Sequence, residues 1–235
     1  MKNLITFCSL LIGLSSCNAQ FDKLLKKVAG LELSTEDVAS GLKEALTKGA
    51  VNGATVLSQQ DGYFKSIYKI ALPEDARAVC NKLRAVPGFS SVEDDVVEKI
   101  NRAAELAASK AQPIFVDAIK QMSIADAWNI LKGSDNAATL YLDKTTHQPL
   151  YTAFHPVIQE AMEEVGALQV WSTAVNQYNQ IPFVKKANPD MSDYVTQKAL
   201  DGLFKKIEEE EKNIRHNLSA RTSDLLKKVF AKQDK

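Results

Sequence analysis

Two stretches of this 235-residue sequence repeat small and apolar residues with the period of an α-helix. The first extends from Val38 to Leu57 and the second from Val92 to Ala111. A period of 3.6 residues places the members of each stretch on one helical face, so each stretch predicts a long helix. Small residues recur every four positions in the first stretch: Gly41, Ala45, Gly49 and Gly53. We therefore expect each helix to pack closely on a neighbouring helix, and one possible arrangement is that the two pack on each other.

Composition supports a helical fold. The chain has only 10 Gly and 7 Pro, which argues against a loop-rich β-sandwich. Its 29 basic residues balance its 29 acidic ones, which excludes a generally basic protein that wraps nucleic acid. With 45% hydrophobic residues, it is not globally disordered. We predict an all-α, irregular multi-helix bundle over residues 34–235, forming a single domain.

Local signals predict where the helices begin and break. A Ser-x-x-Asp pattern, a variant of the capping box, occurs at Ser34, Ser91 and Ser123 and predicts a helix start at each. Ser134 or Asp135 is expected to cap a helix that ends near residue 141. Residues 64–72 are expected to form a short strand, a hairpin or an extended arm. Pro149 and Pro156 are expected to break the chain further. Another helix is expected over residues 157–178, and a last one over about 220–233.

The N-terminus is typical of an export signal. Lys2 precedes an apolar stretch at residues 4–14, which is long enough for a signal peptide and too short to span a bilayer. The following Leu14-Ser15-Ser16-Cys17 resembles the bacterial lipobox. That resemblance implies cleavage after residue 16 and lipidation of Cys17, with residues 17–33 as a tether and short helix. Ordinary cleavage after Ala19 remains the alternative and would give a soluble periplasmic protein.

The residue after the cysteine bears on the destination. It is Asn18, not Asp. By resemblance to the sorting rule of some Gram-negative bacteria, this implies an outer-membrane lipoprotein that faces the periplasm. The expected partners are the membrane, through the N-terminal lipid anchor, and an unknown envelope protein or small ligand, without nucleic acid.

Four stretches follow one another along the chain: Asn101-Arg-Ala-Ala-Glu105, Gly133-Ser-Asp-Asn-Ala-Ala-Thr-Leu-Tyr141, Tyr194-Val-Thr-Gln-Lys-Ala-Leu-Asp-Gly-Leu-Phe204 and Leu225-Leu-Lys-Lys-Val-Phe230. Together and in this order they resemble one bacterial domain-of-unknown-function family of exported, helical proteins. The resemblance covers residues 34 to 231. It implies export and an all-helical fold, and it implies neither an activity nor any functional residue.

Two groups of polar residues are candidates either for a polar binding site or for a structural network. Asn101, Arg102 and Glu105 lie within about one helical turn. Glu211 falls on the apolar stripe of a later helix, where it can pair with Arg215 or Arg221. In both groups the structural interpretation is the simpler one, since ion pairs often serve only to fix packing.

Aromatic residues concentrate in the second half of the chain. They are candidates for a groove that binds an apolar ligand, a glycan or a peptide, although core packing is the simpler interpretation. The candidate groove residues are Tyr141, Trp171, Tyr178 and Tyr194.

Motifs for catalysis or metal binding are missing from the sequence. There is no His-x-x-x-His or Cys-x-x-Cys pair, no phosphate-binding loop and no Gly-x-Ser-x-Gly elbow. Cys80 has helical apolar spacing and is expected to be a buried hydrophobe. We therefore predict no metal, no cofactor and no catalytic residue. The expected function is a non-catalytic envelope lipoprotein that binds a protein partner or ligand. The alternatives are a hydrolase of envelope material and a carrier of an apolar small molecule.

Overall fold

A computed structural model describes residues 34–164 and 166–231. The expected signal peptide, Cys17 and the tether lie outside these residues. The described chain is helical and contains no strand, which confirms the all-α, multi-helix prediction. The elements are α1 (Thr35–Leu57), α2 (Glu74–Leu83), α3 (Val92–Ala108), α4 (Ala111–Gln121), α5 (Ile124–Lys132), α6 (Ala137–Glu164), α7 (Ala167–Gln180), α8 (Ser192–His216), a 3₁₀ turn at Leu218–Ala220 and α9 (Asp224–Phe230).

Two of the three predicted capping boxes form. At Ser34 and Ser123 the serine hydroxyl accepts a backbone N–H from the aspartate three residues on, and that aspartate accepts the serine N–H. At Ser91 the predicted helix start is confirmed, with Ser91 as the N-cap residue, but the capping box does not form, because the Ser91 hydroxyl donates instead to the carboxylate of Asp95 at 3.0 Å. That helix nevertheless begins where its apolar stripe begins, at Val92.

The two small-residue helices pack on different partners. The glycine row of α1 lies against α8 and α9, where a Cβ at Gly41 would come within 2.7 Å of Val229 Cγ2. Close packing of a neighbouring helix is thus confirmed. The helix α3 instead packs mainly on α6 and α7, so the two helices are not each other's main partner. At the centre, α6 and α8 make the most extensive helix–helix contact of the described chain.

The helix α6 continues through both prolines, so the predicted breaks at Pro149 and Pro156 are wrong, as are a helix end near residue 141 and a start at 157. Both prolines are exposed and lie seven residues apart on one face, so the backbone hydrogen bonds they remove face water. The opposite face keeps a buried stripe at four-residue spacing: Leu142, Thr146, Leu150, Phe154 and Ile158. The last described residue of the helix is Glu164, and Gly166 beyond it adopts a left-handed φ of 71°.

The segment between α1 and α2 is not the expected strand or hairpin. Residues 58–68 form turns, and residues 69–73 are irregular and lead into α2. Tyr63 within it is fully buried and donates its hydroxyl to Ala199 O at 2.7 Å. Long-range side-chain contacts therefore set the path of this segment in place of a β-ladder.

The remaining core follows the predicted periodicity. Cys80 is fully buried among apolar residues, and burial raises the pKa of its thiol to about 11. The last helix is shorter than expected and leaves Leu225 half-buried, while Leu226, Val229 and Phe230 are buried as predicted. Among the described residues, no helix combines the length and apolar character that crossing a bilayer requires.

Candidate functional site

Glu105 on α3 holds the turn segment that follows α1. Its Oε1 accepts the backbone N–H groups of Tyr63 and Phe64, each at 3.1 Å. Its Oε2 accepts from Arg102 at 2.9 Å. The carboxylate is buried, and all three contacts are to groups of this chain. Glu105 therefore fixes a bend in the backbone.

Asn101, one turn earlier on α3, does the same for the irregular end of that segment. Its side-chain amide accepts the N–H of Ile70 at 2.8 Å and donates to the carbonyl of Ile70 at 2.9 Å. This pair of bonds supplies what a neighbouring strand would otherwise supply. Asn101 is fully buried, so no water replaces these bonds.

Arg102 connects the buried Glu105 to the surface. Its guanidinium donates to Asp61 Oδ1 at 2.8 Å, and Asp61 also pairs with Lys65. The hydrogen bond from Arg102, helped by Lys65, lowers the pKa of Asp61. We call Asn101, Arg102, Glu105 and Asp61 the α3 cluster.

Glu211, on α8, contacts the N-terminus of α6, which is distant from it in sequence. Its two carboxylate oxygens accept the backbone N–H groups of Ala138 and Thr139 at 2.9 and 2.8 Å, and one also accepts the hydroxyl of Thr139 at 2.8 Å. These N–H groups belong to the first turn of α6 and have no partner within their helix. Glu211 thus caps α6 in place of the predicted Ser134 or Asp135.

Two arginines donate hydrogen bonds to carbonyl groups at helix C-termini, as Glu211 accepts them at a helix N-terminus. Arg215 pairs with Glu211 at 2.9 Å and donates to the carbonyl of Ile130, near the end of α5, at 2.9 Å. Arg221 donates to the carbonyls of Ile214 and Arg215 in the last turn of α8 at 3.0 and 2.6 Å. Cations are favourable at helix C-termini, where carbonyl groups lack partners. We call Glu211, Arg215 and Arg221 the α8 cluster.

The α8 cluster leaves little room for a ligand. The cavity beside Glu211 and Arg215 measures about 20 Å³, enough for about one water molecule. No buried side-chain nitrogen or oxygen among the described residues lacks a hydrogen-bond partner. The arrangement therefore supports the structural interpretation of these polar residues.

An open cleft of about 400 Å³ lies between α2, α7 and the segment 181–191. We call it the α2–α7 cleft. Its volume falls in the range of small-molecule sites. Exposed charges lie beside aromatic and apolar groups in its lining, which comprises Pro73, Asp75, Ala76, Ala78, Val79, Trp171, Tyr178, Lys185, Lys186, Ala187, Asn188, Asp190, Met191 and Tyr194.

Hydrogen bonds hold the loop wall of this cleft in place. Asn179 accepts the N–H of Ala187 at 2.9 Å and donates to its carbonyl at 3.2 Å, which repeats the clamp that Asn101 forms on Ile70. Trp171 Nε1 donates to the carbonyl of Asn188 at 3.1 Å. The cleft thus has a fixed wall although that wall contains no regular secondary structure.

Three of the four predicted groove aromatics meet at this cleft. Trp171 is buried at its base, and Tyr178 and Tyr194 are half-buried in its lining, with the Tyr194 hydroxyl donating to Ala71 O. Tyr141 does not line it and lies instead on α6 near Asp126. Asn179, Lys185 and Lys186 also belong to the cleft, and they are not among the residues predicted from the sequence. An apolar run ending in two lysines between two helices is the signal that points to this loop: Ile181-Pro182-Phe183-Val184-Lys185-Lys186.

A shallow groove between α6 and α8 contains a histidine–aspartate pair. His147 Nδ1 lies 2.8 Å from Asp143, and its ring stacks on Phe204 at 5.9 Å. A nucleophilic hydroxyl would be needed for this pair to act as in hydrolases. The only hydroxyl side chain in the groove lining is Thr139, which donates to Glu211. Across the described ranges, no group of three acidic, histidine or cysteine side chains is placed to hold a metal ion.

These features define a class of protein: an all-helical domain whose buried ionisable groups bind its own backbone, with an open cleft on its surface. The chain belongs to the family described as "Protein of unknown function (DUF4197)", which matches residues 32–231. No curated protein and no solved structure matches the chain.

Proposed function

We propose that the protein is a periplasm-facing envelope lipoprotein that binds a protein partner or ligand at the α2–α7 cleft without catalysing a reaction. The observation that carries the proposal is the cleft itself, whose exposed lysines and half-buried tyrosines lie on walls that hydrogen bonds hold in place. A preformed site of this kind loses little conformational freedom when it binds.

The alternatives have weaker support. A carrier of an apolar molecule needs an enclosed cavity, whereas the space beside Glu211 holds about one water. A hydrolase needs reactive groups that converge on a substrate. In the α3 and α8 clusters, by contrast, the glutamate carboxylates accept hydrogen bonds from backbone N–H groups of the same chain. The lipid anchor is supported by the sequence at Leu14-Ser15-Ser16-Cys17.

Photo-crosslinking in the intact envelope tests the proposed site. We would place a photoreactive amino acid at Ala78, an exposed residue of the cleft lining, and at Ala125, an exposed alanine of α5 that does not line the cleft. We expect a defined adduct from the Ala78 position and none from Ala125. Equal adducts from both positions, or none from either, would refute binding at the cleft.

Metabolic labelling with a radioactive fatty acid tests the anchor separately. We expect label on the wild-type chain and none on Cys17→Ala. An unlabelled wild-type chain would remove the lipoprotein proposal and leave the cleft proposal standing.

A further inference from the structure

The loop wall of the cleft ends in an exposed apolar tip. Phe183 is fully exposed, and the preceding Pro182 is exposed as well. Two exposed lysines, Lys185 and Lys186, follow within three residues, and the Lys186 ammonium also donates to the carbonyl of Asn179. Phe183 is the most exposed large hydrophobic residue of the described chain, and removing such a ring from water is favourable.

The backbone holds this tip in an unusual conformation. Phe183 has a φ of 62°, in the left-handed region that bulky residues rarely adopt. Just beyond it, Asn179 clamps both backbone groups of Ala187, and Trp171 holds the carbonyl of Asn188. The returning limb is therefore fixed, and the phenyl ring is presented outward. Such conformations persist where the surrounding structure requires them, often at functional sites.

We infer that this tip inserts into the interface of a bilayer that contains anionic phospholipid. The phenyl ring would enter the acyl region, while the lysines lie at the level of the phosphates, with their apolar stems following the ring. Positive side chains next to the tip complement the negative headgroups. A single protruding ring offers far less area than the roughly 800 Å² per partner of a stable protein interface. Insertion into a bilayer does not need a matching surface of that size, so the bilayer is the occupant that we infer.

This inference rests on the envelope location proposed above, and the reach of the chain is compatible with it. Sixteen residues separate Cys17 from Ser34. A chain of that length spans at most about 60 Å. That exceeds the roughly 40 Å expected across a compact domain of this size, so an anchor at Cys17 permits any face of the domain to meet the membrane. The cleft, which shares Lys185 and Lys186 with the loop, would then open beside the bilayer surface.

The test uses the full chain with vesicles of phosphatidylethanolamine and phosphatidylglycerol. A fluorescent amino acid sensitive to polarity replaces Phe183 in one variant and Leu218, an exposed apolar residue of the 3₁₀ turn, in a control. Lipids brominated on their acyl chains quench a probe that enters the bilayer. We expect several-fold quenching at position 183, little at 218, and loss of most of the difference when Lys185→Glu and Lys186→Glu are added.

Equal quenching at the two positions, or none at 183, would overturn the inference. So would a probe at 183 that is shielded by an extract of envelope proteins and not by lipid, since that would indicate a protein partner. Loss of flotation in Cys17→Ala relative to wild type reports the anchor, and quenching at position 183 reports the tip, so the two proposals can fail separately.

Discussion

The α3 cluster and the α8 cluster use the same chemistry at different depths. In each, one glutamate accepts two consecutive backbone N–H groups and pairs with an arginine on the same helix. The α8 cluster is buried throughout and joins the ends of three helices. The α3 cluster is buried at Asn101 and Glu105 but reaches the surface through Arg102 and Asp61, and it holds a segment without regular structure.

The difference shows that burial determines how much a glutamate–arginine ion pair contributes to the free energy of unfolding. A charge pair sealed from water leaves an uncompensated charge when one member is removed, which destabilises strongly. A pair that reaches solvent is screened by salt and rehydrated when it is broken. We therefore expect the α8 cluster to dominate stability and the α3 cluster to carry more of the dependence on pH and salt.

The largest effect is expected from Glu211→Ala. This change leaves Arg215 buried without its carboxylate and uncaps the first turn of α6, so we expect a loss of about 3–5 kcal/mol in the free energy of unfolding. Urea denaturation measures it. The control is Glu208→Ala, which removes a partly exposed pair with Lys212 and should change the free energy by less than about 0.5 kcal/mol. Similar losses for both variants would contradict the ranking by burial.

A smaller effect is expected from Asn101→Ala. The N–H and carbonyl of Ile70 would be left buried without partners, at a cost of about 1–3 kcal/mol. Faster hydrogen exchange of the Ile70 amide would localise the effect. The matched control is Asn179→Ala, which frees the same pair of groups at Ala187 where water can replace the lost bonds. An Asn179→Ala variant as destabilised as Asn101→Ala would show that burial does not separate the two clamps.

The dependence on pH follows from Asp61. Its pKa is lowered in the folded chain, so its stabilising contribution is present above its unfolded pKa of about 3.9 and is lost as the pH falls through the lower folded value. We expect Asp61→Asn to be less stable than wild type at pH 7 and to approach it near pH 2. Denaturation curves at the two pH values measure this difference. A stability gap of the same size at both would contradict a role for the ionised carboxylate.

The features that could be predicted from the sequence are those set by residues close to one another along the chain. Ser34 and Ser123 form their capping boxes because every partner lies within three residues. Glu211 could be singled out because an acid on an apolar stripe needs a partner, but its contact with Ala138 spans 73 positions and no local pattern contains it. The error at Pro149 and Pro156 has the same origin, since the buried stripe of α6 and the exposure of both prolines are properties of the packed bundle. The aromatic groove was visible only as a concentration of residues, and the lysines of its loop wall carried no period at all.

The most direct measurement combines stability with binding in one variant, Lys185→Glu, which changes an exposed charge of the cleft. If the buried clusters hold the fold and the cleft binds the partner, the free energy of unfolding should stay within about 0.5 kcal/mol of wild type, as for other surface changes, while the crosslink from Ala78 disappears. An unchanged crosslink in the stable variant would contradict the assignment of binding to the cleft.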